Sequence, residues 1–225
     1  DSADDLTVGP DKVVALAWAG LNPRDRTLDA IHGVNRATSV DAGLAALDAV
    51  GSPQQNIFLA DDQGNTAVAA PGHVPVRKQG DGTRPVPGWQ GDYDWDGLIP
   101  ADALPRTKNP PSGRLVNANN KLVPNTYPYL IAANWPPPFR AERIRALLEG
   151  IGANPGLDAM AEIQLDVKSP AARILLPELL DHGGRTERGR TAVAMLRDWD
   201  GHMDREAPEP LIFVAWMDEL NRKLL

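Results

Sequence analysis

The sequence predicts an α+β fold, and three observations carry that prediction. A β-hairpin pattern lies around residue 60, a proline-rich irregular stretch follows it, and helical periodicity runs to the C-terminus. Residues 1–138 are therefore expected to hold strands, the hairpin and the Pro-rich loop segment, and residues 139–225 to be helical.

The elements follow in chain order. Residues 13–18 (Val-Val-Ala-Leu-Ala-Trp) form a short apolar, partly β-branched run and predict a buried strand. Leu21-Asn22-Pro23-Arg24-Asp25 reads as a turn. Thr27 is the expected N-cap of a helix over 28–37 whose apolar face is Leu28, Ile31 and Val34, with Asn35. Ser39 caps a second helix carrying Val40, Leu44, Leu47 and Val50, and Gly51 stops it. Gly33 and Gly43 each weaken these helices by about 1 kcal/mol relative to Ala, and close packing is the expected use of both.

Two apolar runs, 56–60 and 66–70, flank Asp61-Asp62-Gln63-Gly64-Asn65, which predicts a hairpin with Gly64 in the left-handed turn position. Residues 71–138 are expected to be mostly irregular, with a short strand over 113–118. A stretch of that length inside a compact domain is functional or packed by its own side chains. Beyond it, helices are predicted over 140–149, 157–165, 170–180, 186–199 and 208–225. Asp181-His182-Gly183-Gly184 and Asp200-Gly201 break the pattern.

The 225 residues suffice for one large or two small domains. The net charge of −7 argues against nucleic acid, because phosphate binding needs concentrated Lys and Arg. The absence of cysteine removes disulfides, thiolate metal sites and a Cys nucleophile. No apolar run reaches the roughly 18 residues of a membrane span, and no signal peptide is present. Asp1, Asp4 and Asp5 read as a frayed, solvated end, and a chain opening without Met reads as processed or truncated.

The segment from Pro85 to Asn120 holds the chemistry. Trp89, Tyr93 and Trp95 with neighbouring Asp residues suit either a sugar-stacking platform or a loop packed by its own rings. Asp92, Asp94 and Asp96 alternate, but a calcium loop starting at Asp92 needs Glu at its twelfth position, where Ala103 stands. Asn117, Asn119, Asn120 and Asn125 cluster downstream. Such residues often bond their own turn backbone. A carboxamide N–H can instead stabilise the negative charge of a tetrahedral intermediate. His32, His73, His182 and His202 are scattered, without metal-ligand spacing.

The motifs of this run, Val86-Pro87-Gly88-Trp89, Trp95-Asp96-Gly97-Leu98-Ile99-Pro100 and Ser112-Gly113-Arg114-Leu115-Val116-Asn117-Ala118-Asn119-Asn120, resemble the penicillin acylase (penicillin amidase) family of N-terminal-nucleophile amidohydrolases. The resemblance extends over nearly the whole chain, to Trp199-Asp200-Gly201-His202-Met203-Asp204. It implies a four-layer αββα sandwich and hydrolysis of N-acyl amides through an acyl-enzyme. Penicillin-like, cephalosporin-like and acyl-homoserine-lactone-like substrates are all served by relatives.

The resemblance further assigns Asn119, first of the Asn pair, to oxyanion stabilisation. Arg140, in Pro138-Phe139-Arg140-Ala141-Glu142-Arg143-Ile144, takes a supporting position near the site. Family members carry the nucleophile at a chain terminus freed by precursor cleavage. Ser2 is not terminal, so the chain is expected to be an internal segment of the large subunit, inactive alone. Its expected partners are the small subunit and the rest of that precursor, in a periplasmic or secreted setting without membrane or nucleic acid. No cofactor is expected. Some members hold a structural calcium, which remains an expectation for the full-length protein. One equivalent region here has Asn134 before Trp135 in place of a carboxylate.

Overall fold

The computed structural model describes residues 11–152 and 155–224, so the acidic N-terminal cluster and Ser2 lie outside the described residues. The chain divides into two compact units, Asp1–Pro136 and Pro137–Leu225.

In the first unit, helices α1 (Thr27–Arg36) and α2 (Val40–Leu47) precede the hairpin of β1 (Ile57–Ala60) and β2 (Thr66–Ala69). The strands are antiparallel, with Ile57 opposite Ala69 and Ala60 opposite Thr66. Gly64 holds the predicted left-handed position at φ 81°. The Asp61 carboxylate accepts from the backbone N–H groups of Gln63, Asn65 and Val40, the last at the N-terminus of α2. The Val40 N–H is the main reason that its carboxyl titrates below the usual range. One side chain thus shapes the turn and ties it to a helix.

Short strands β3 (Pro75–Arg77) and β4 (Trp95–Leu98) pair with each other, while β5 (Arg106–Lys108) adds to β2, giving a three-stranded sheet of order β1-β2-β5. One core gathers Ala30, Leu47, Val50 and Ala69. A second gathers Val74, Ile99 and Leu104, with Tyr129 and Ile131 packed against it.

Four expectations fail in this unit. Residues 13–18 are not a buried strand. They have no regular structure, and Val13 is 93% exposed, because no described strand pairs with them. Thr27 does not cap α1. Its Oγ1 instead accepts from the N–H groups of Gly51 (2.8 Å) and Ser52 (3.1 Å), while Asp25 Oδ1 takes the Thr27 N–H. The α1 face is also shifted. Leu28 and Ile31 are exposed and Ala30 is buried, because α1 meets α2 through small residues. Finally, residues 113–118 form no strand: the Gly113 N–H donates to the Pro110 carbonyl, the Arg114 N–H to Ser112 Oγ and the Ala118 N–H to Asn120 Oδ1.

The glycines explain how closely the helices approach. A Cβ on Gly33 would stand 2.9 Å from Cβ of Ala46, and one on Gly43 would stand 2.9 Å from Cδ1 of Leu59. Gly33→Ala is expected to destabilise the first unit despite better helix propensity, since overpacking costs about 1–3 kcal/mol against a gain of about 1 kcal/mol. Gly43→Ala should fall within about 0.5 kcal/mol of wild type, because the Leu59 side chain can turn aside. Urea denaturation of both variants checks the order.

The second unit comprises α3 (Phe139–Gly150), α4 (Leu157–Gln164), α5 (Pro170–His182), α6 (Glu187–Arg197) and α7 (Pro208–Leu224). Each lies where periodicity predicts it. Ser169 and Thr186 accept from the N–H groups of Ala172 and Gly189, capping α5 and α6. The core sets Leu196 and Ala172, both fully buried, among Leu176, Leu179 and Phe213. Trp199 packs on Phe213 with ring centroids 5.4 Å apart and donates its indole N–H to the His202 carbonyl at 2.9 Å.

Arg143 on α3 clamps Asp166 with two hydrogen bonds, of 2.8 and 2.5 Å. The guanidinium holds the Asp166 carboxyl below its usual range. A depressed folded pKa contributes stability that is present above the unfolded value of about 3.9 and is lost as pH falls through the folded value. Asp166→Asn should therefore be less stable than wild type by about 1–2 kcal/mol at pH 7, discounted for the solvent reaching the pair. Denaturation curves of the two proteins should converge as pH drops well below 4.

Candidate active site

The first unit carries a half-open cavity of about 270 Å³. Gln54, Gln55 and Asn56 approach it from the start of β1, and Asn119 and Leu122 from the Asn-rich bend. Residues 131–136, including Asn134 and Trp135, complete the wall. This last stretch is anchored by Tyr129 and Ile131, which pack on the Val74, Ile99 and Leu104 core. The Tyr127 hydroxyl donates to the Ala103 carbonyl at 2.7 Å, and burial raises its pKa. A second hollow of similar size shares Ile131, Ala132 and Trp135 with the first.

Asn119 lies on the cavity wall, at an exposed position, with φ 65°. Asn visits this left-handed region more readily than most residues. A network of carboxamides surrounds the bend. Asn117 Oδ1 accepts from the Asn119 N–H at 3.0 Å and from Asn56 Nδ2 at 2.7 Å. Asn117 Nδ2 donates to the Asn120 carbonyl at 3.3 Å, and Asn120 Oδ1 accepts from the buried Ala118 N–H at 3.1 Å. Asn117 and Asn120 are therefore structural members of the cluster, bonded to turn backbone.

Five carboxamides, of Gln54, Gln55, Asn56, Asn119 and Asn134, line the cavity, and no ionisable side chain does so among the described residues. The chain carries no acidic residue between Asp102 and Glu142. Such a lining offers neutral donors and acceptors without a competing fixed charge. It suits an uncharged amide and the transient anion formed when that amide is attacked.

The other sequence candidates belong to other elements. Arg140 belongs to the second unit, in the first turn of α3, and is exposed. Trp89 is 71% exposed, with Lys12 Nζ 5.2 Å from its ring centroid. Trp95 belongs to β4, opposite Arg77, and Tyr93 is half-buried. None of these three aromatics lines the cavity. Asn134 is a carboxamide where a calcium site would want a carboxylate. Among the described residues no group of three or more His, Cys, Asp or Glu could hold a metal ion.

Sequence reasoning missed Asn56, Gln54 and Gln55 as members of the site. The available signal was three consecutive carboxamides placed directly before a strand.

Comparison with known proteins decides the family. The penicillin amidase family profile matches residues 3–225. The chain belongs to the penicillin amidase family. This penicillin amidase family chain is 32% identical over 205 residues to the penicillin acylase 2 proenzyme of Pseudomonas sp. strain SE83, covering 88% of the chain and 26% of that protein. It is 27% identical over 212 residues to the acyl-homoserine lactone acylase QuiP of Pseudomonas putida KT2440, again 88% of the chain and 26% of the relative. It thus spans about a quarter of the length of these curated relatives. Its structure is similar to thermostable penicillin G acylase from Alcaligenes faecalis. The TM-score is 0.61 at 25% identity, covering 78% of this chain and 32% of that one. No described helix is long and apolar enough to cross a membrane.

Proposed function

We propose that the full-length protein hydrolyses N-acyl amides through a covalent acyl-enzyme, and that Asn119 donates a carboxamide hydrogen bond to the oxyanion. The observation that carries this reading is the position of Asn119, on the wall of an uncharged, carboxamide-lined cavity, in a member of the penicillin amidase family. The nucleophile comes from another part of the polypeptide, at a terminus freed by processing. There the α-amino group, with an ordinary pKa near 7.7–8.0, serves as its own general base.

Arg140 supports the site electrostatically. The partners are the remaining subunit sequence of the same precursor, in a four-layer αββα sandwich and a periplasmic or secreted setting. The 225 residues alone retain positioning elements only and hydrolyse nothing.

The substrates in this reading are penicillin-like, cephalosporin-like or acyl-homoserine-lactone-like amides, and the named activities of the relatives support the first and the last. The test is a panel of such N-acyl compounds offered to the full-length protein. Release of the free amine from at least one compound is the expected result. If every compound stays intact while the processed protein is folded, the reading is wrong. Trp89, Tyr93 and Trp95 do not line this cavity.

A further inference from the structure

We propose that Asn56 is a positioning residue that acts through Asn117 to set the orientation of Asn119; the proposal rests on the role assigned to Asn119 above. A left-handed residue in an irregular bend keeps its conformation only if its surroundings over-determine it. The contact with the largest leverage is the Asn119 backbone N–H, which donates to Asn117 Oδ1 at 3.0 Å. That oxygen has two lone-pair directions, and the second takes Asn56 Nδ2 at 2.7 Å.

The same carboxamide turns its Nδ2 toward the Asn120 carbonyl, at 3.3 Å. Flipping Asn117 would set its NH₂ group against two donors and its oxygen against a carbonyl. Asn56 thus joins the Asn119 N–H and the Asn120 carbonyl in holding one orientation of Asn117, and that orientation supplies the acceptor which fixes the bend. Asn56 itself directly precedes Ile57, the first residue of β1. The relay thus refers a loop side chain to a hydrogen-bonded sheet, across 61 residues of sequence.

The consequence for catalysis is geometric. An oxyanion donor works within about 2.7–3.1 Å of the developing charge, and a misplacement of about 1 Å can cost roughly 100-fold in rate. Losing the Asn56 donor frees Asn117 to rotate and the bend to drift, with the Asn119 side chain still present. Ground-state binding is left nearly intact.

The test uses the processed full-length protein and a double-mutant cycle. Asn56→Leu keeps roughly the size of the side chain and removes the donor without adding a charge to the cavity wall. It is expected to lower kcat about 10- to 100-fold, with KM within about 3-fold. In an Asn119→Ala background the same change should cost less than about 3-fold, because there is no donor left to misplace. Asn117→Leu, which removes the acceptor of both N–H groups, should match Asn56→Leu.

Multiplicative losses in the double variant would overturn the proposal, since Asn56 would then act independently of Asn119. So would an Asn56→Leu variant within about 3-fold of wild type when Asn119→Ala has collapsed kcat. If Asn119→Ala itself leaves kcat unchanged, it is the oxyanion assignment that fails.

Discussion

In the full-length protein, Asn119→Ala is expected to lower kcat for N-acyl amide hydrolysis by about 100- to 1,000-fold, the usual cost of removing one oxyanion donor. The argument begins with charge. Attack on an amide carbonyl moves a negative charge onto its oxygen, and the barrier falls only if something binds that charge better than it bound the carbonyl. The cavity beside Asn119 is lined by carboxamides and apolar groups, with no Lys or Arg among its described walls. Neutral N–H donors must therefore carry the stabilisation there. The loss should appear in kcat more than in KM, because the donor acts chiefly in the transition state. Asn119→Asp should be at least as damaging, since it places a negative group where negative charge develops. Steady-state kinetics on the processed protein check both variants, and a loss of only a few-fold in Asn119→Ala would remove the residue from the mechanism.

Leu196→Ala is the second large effect, expected on stability. Leu196 is fully buried on α6, among Leu176, Leu179 and Phe213. Truncation removes the transfer free energy of the lost methyl and methylene groups and leaves a void that a close-packed core fills poorly. Such changes cost about 2–5 kcal/mol, a large share of the stability of a typical domain. Leu211→Ala on α7 is the matched control, at 74% exposure, and should fall within about 0.5 kcal/mol of wild type. Urea denaturation of the two variants separates them. Equal midpoints would contradict the placement of the core.

The legible features of the fold were those set by local chemistry. The hairpin was readable because a five-residue turn with Gly64 lies between two apolar runs. The helices of the second unit were readable because helical periodicity is interrupted at Gly183-Gly184 and at Gly201. Thr27 misled because a hydroxyl before a helical pattern looks like a cap, yet here it serves the distant Gly51 and Ser52 amides. Residues 13–18 misled because an apolar, β-branched run says nothing about whether a pairing strand is available. Leu28 and Ile31 misled because large residues usually mark the buried face, whereas α1 packs through Ala30 and Gly33.

The site was legible in a different degree. Asn119 emerged from its motif, not from spacing, since Asn clusters in bends usually bond their own backbone. Asn117 and Asn120 do so in the structure. Asn56 could not be read, because its link to Asn117 is made by folding across 61 residues of sequence. Tyr127 and Tyr129, whose rings meet edge-on at 5.8 Å, also lay outside the reading, although Tyr129 anchors the far wall of the cavity.

The most direct measurement is a crystal structure of the processed full-length protein bound to a tetrahedral transition-state analogue, such as an acyl-chain boronate. The account predicts Nδ2 of Asn119 about 2.7–3.1 Å from the analogue's oxyanion, with Asn117 still bridging Asn56 and the Asn119 amide. An Asn119 side chain more than about 4 Å from that oxygen, beyond hydrogen-bond reach, would contradict it.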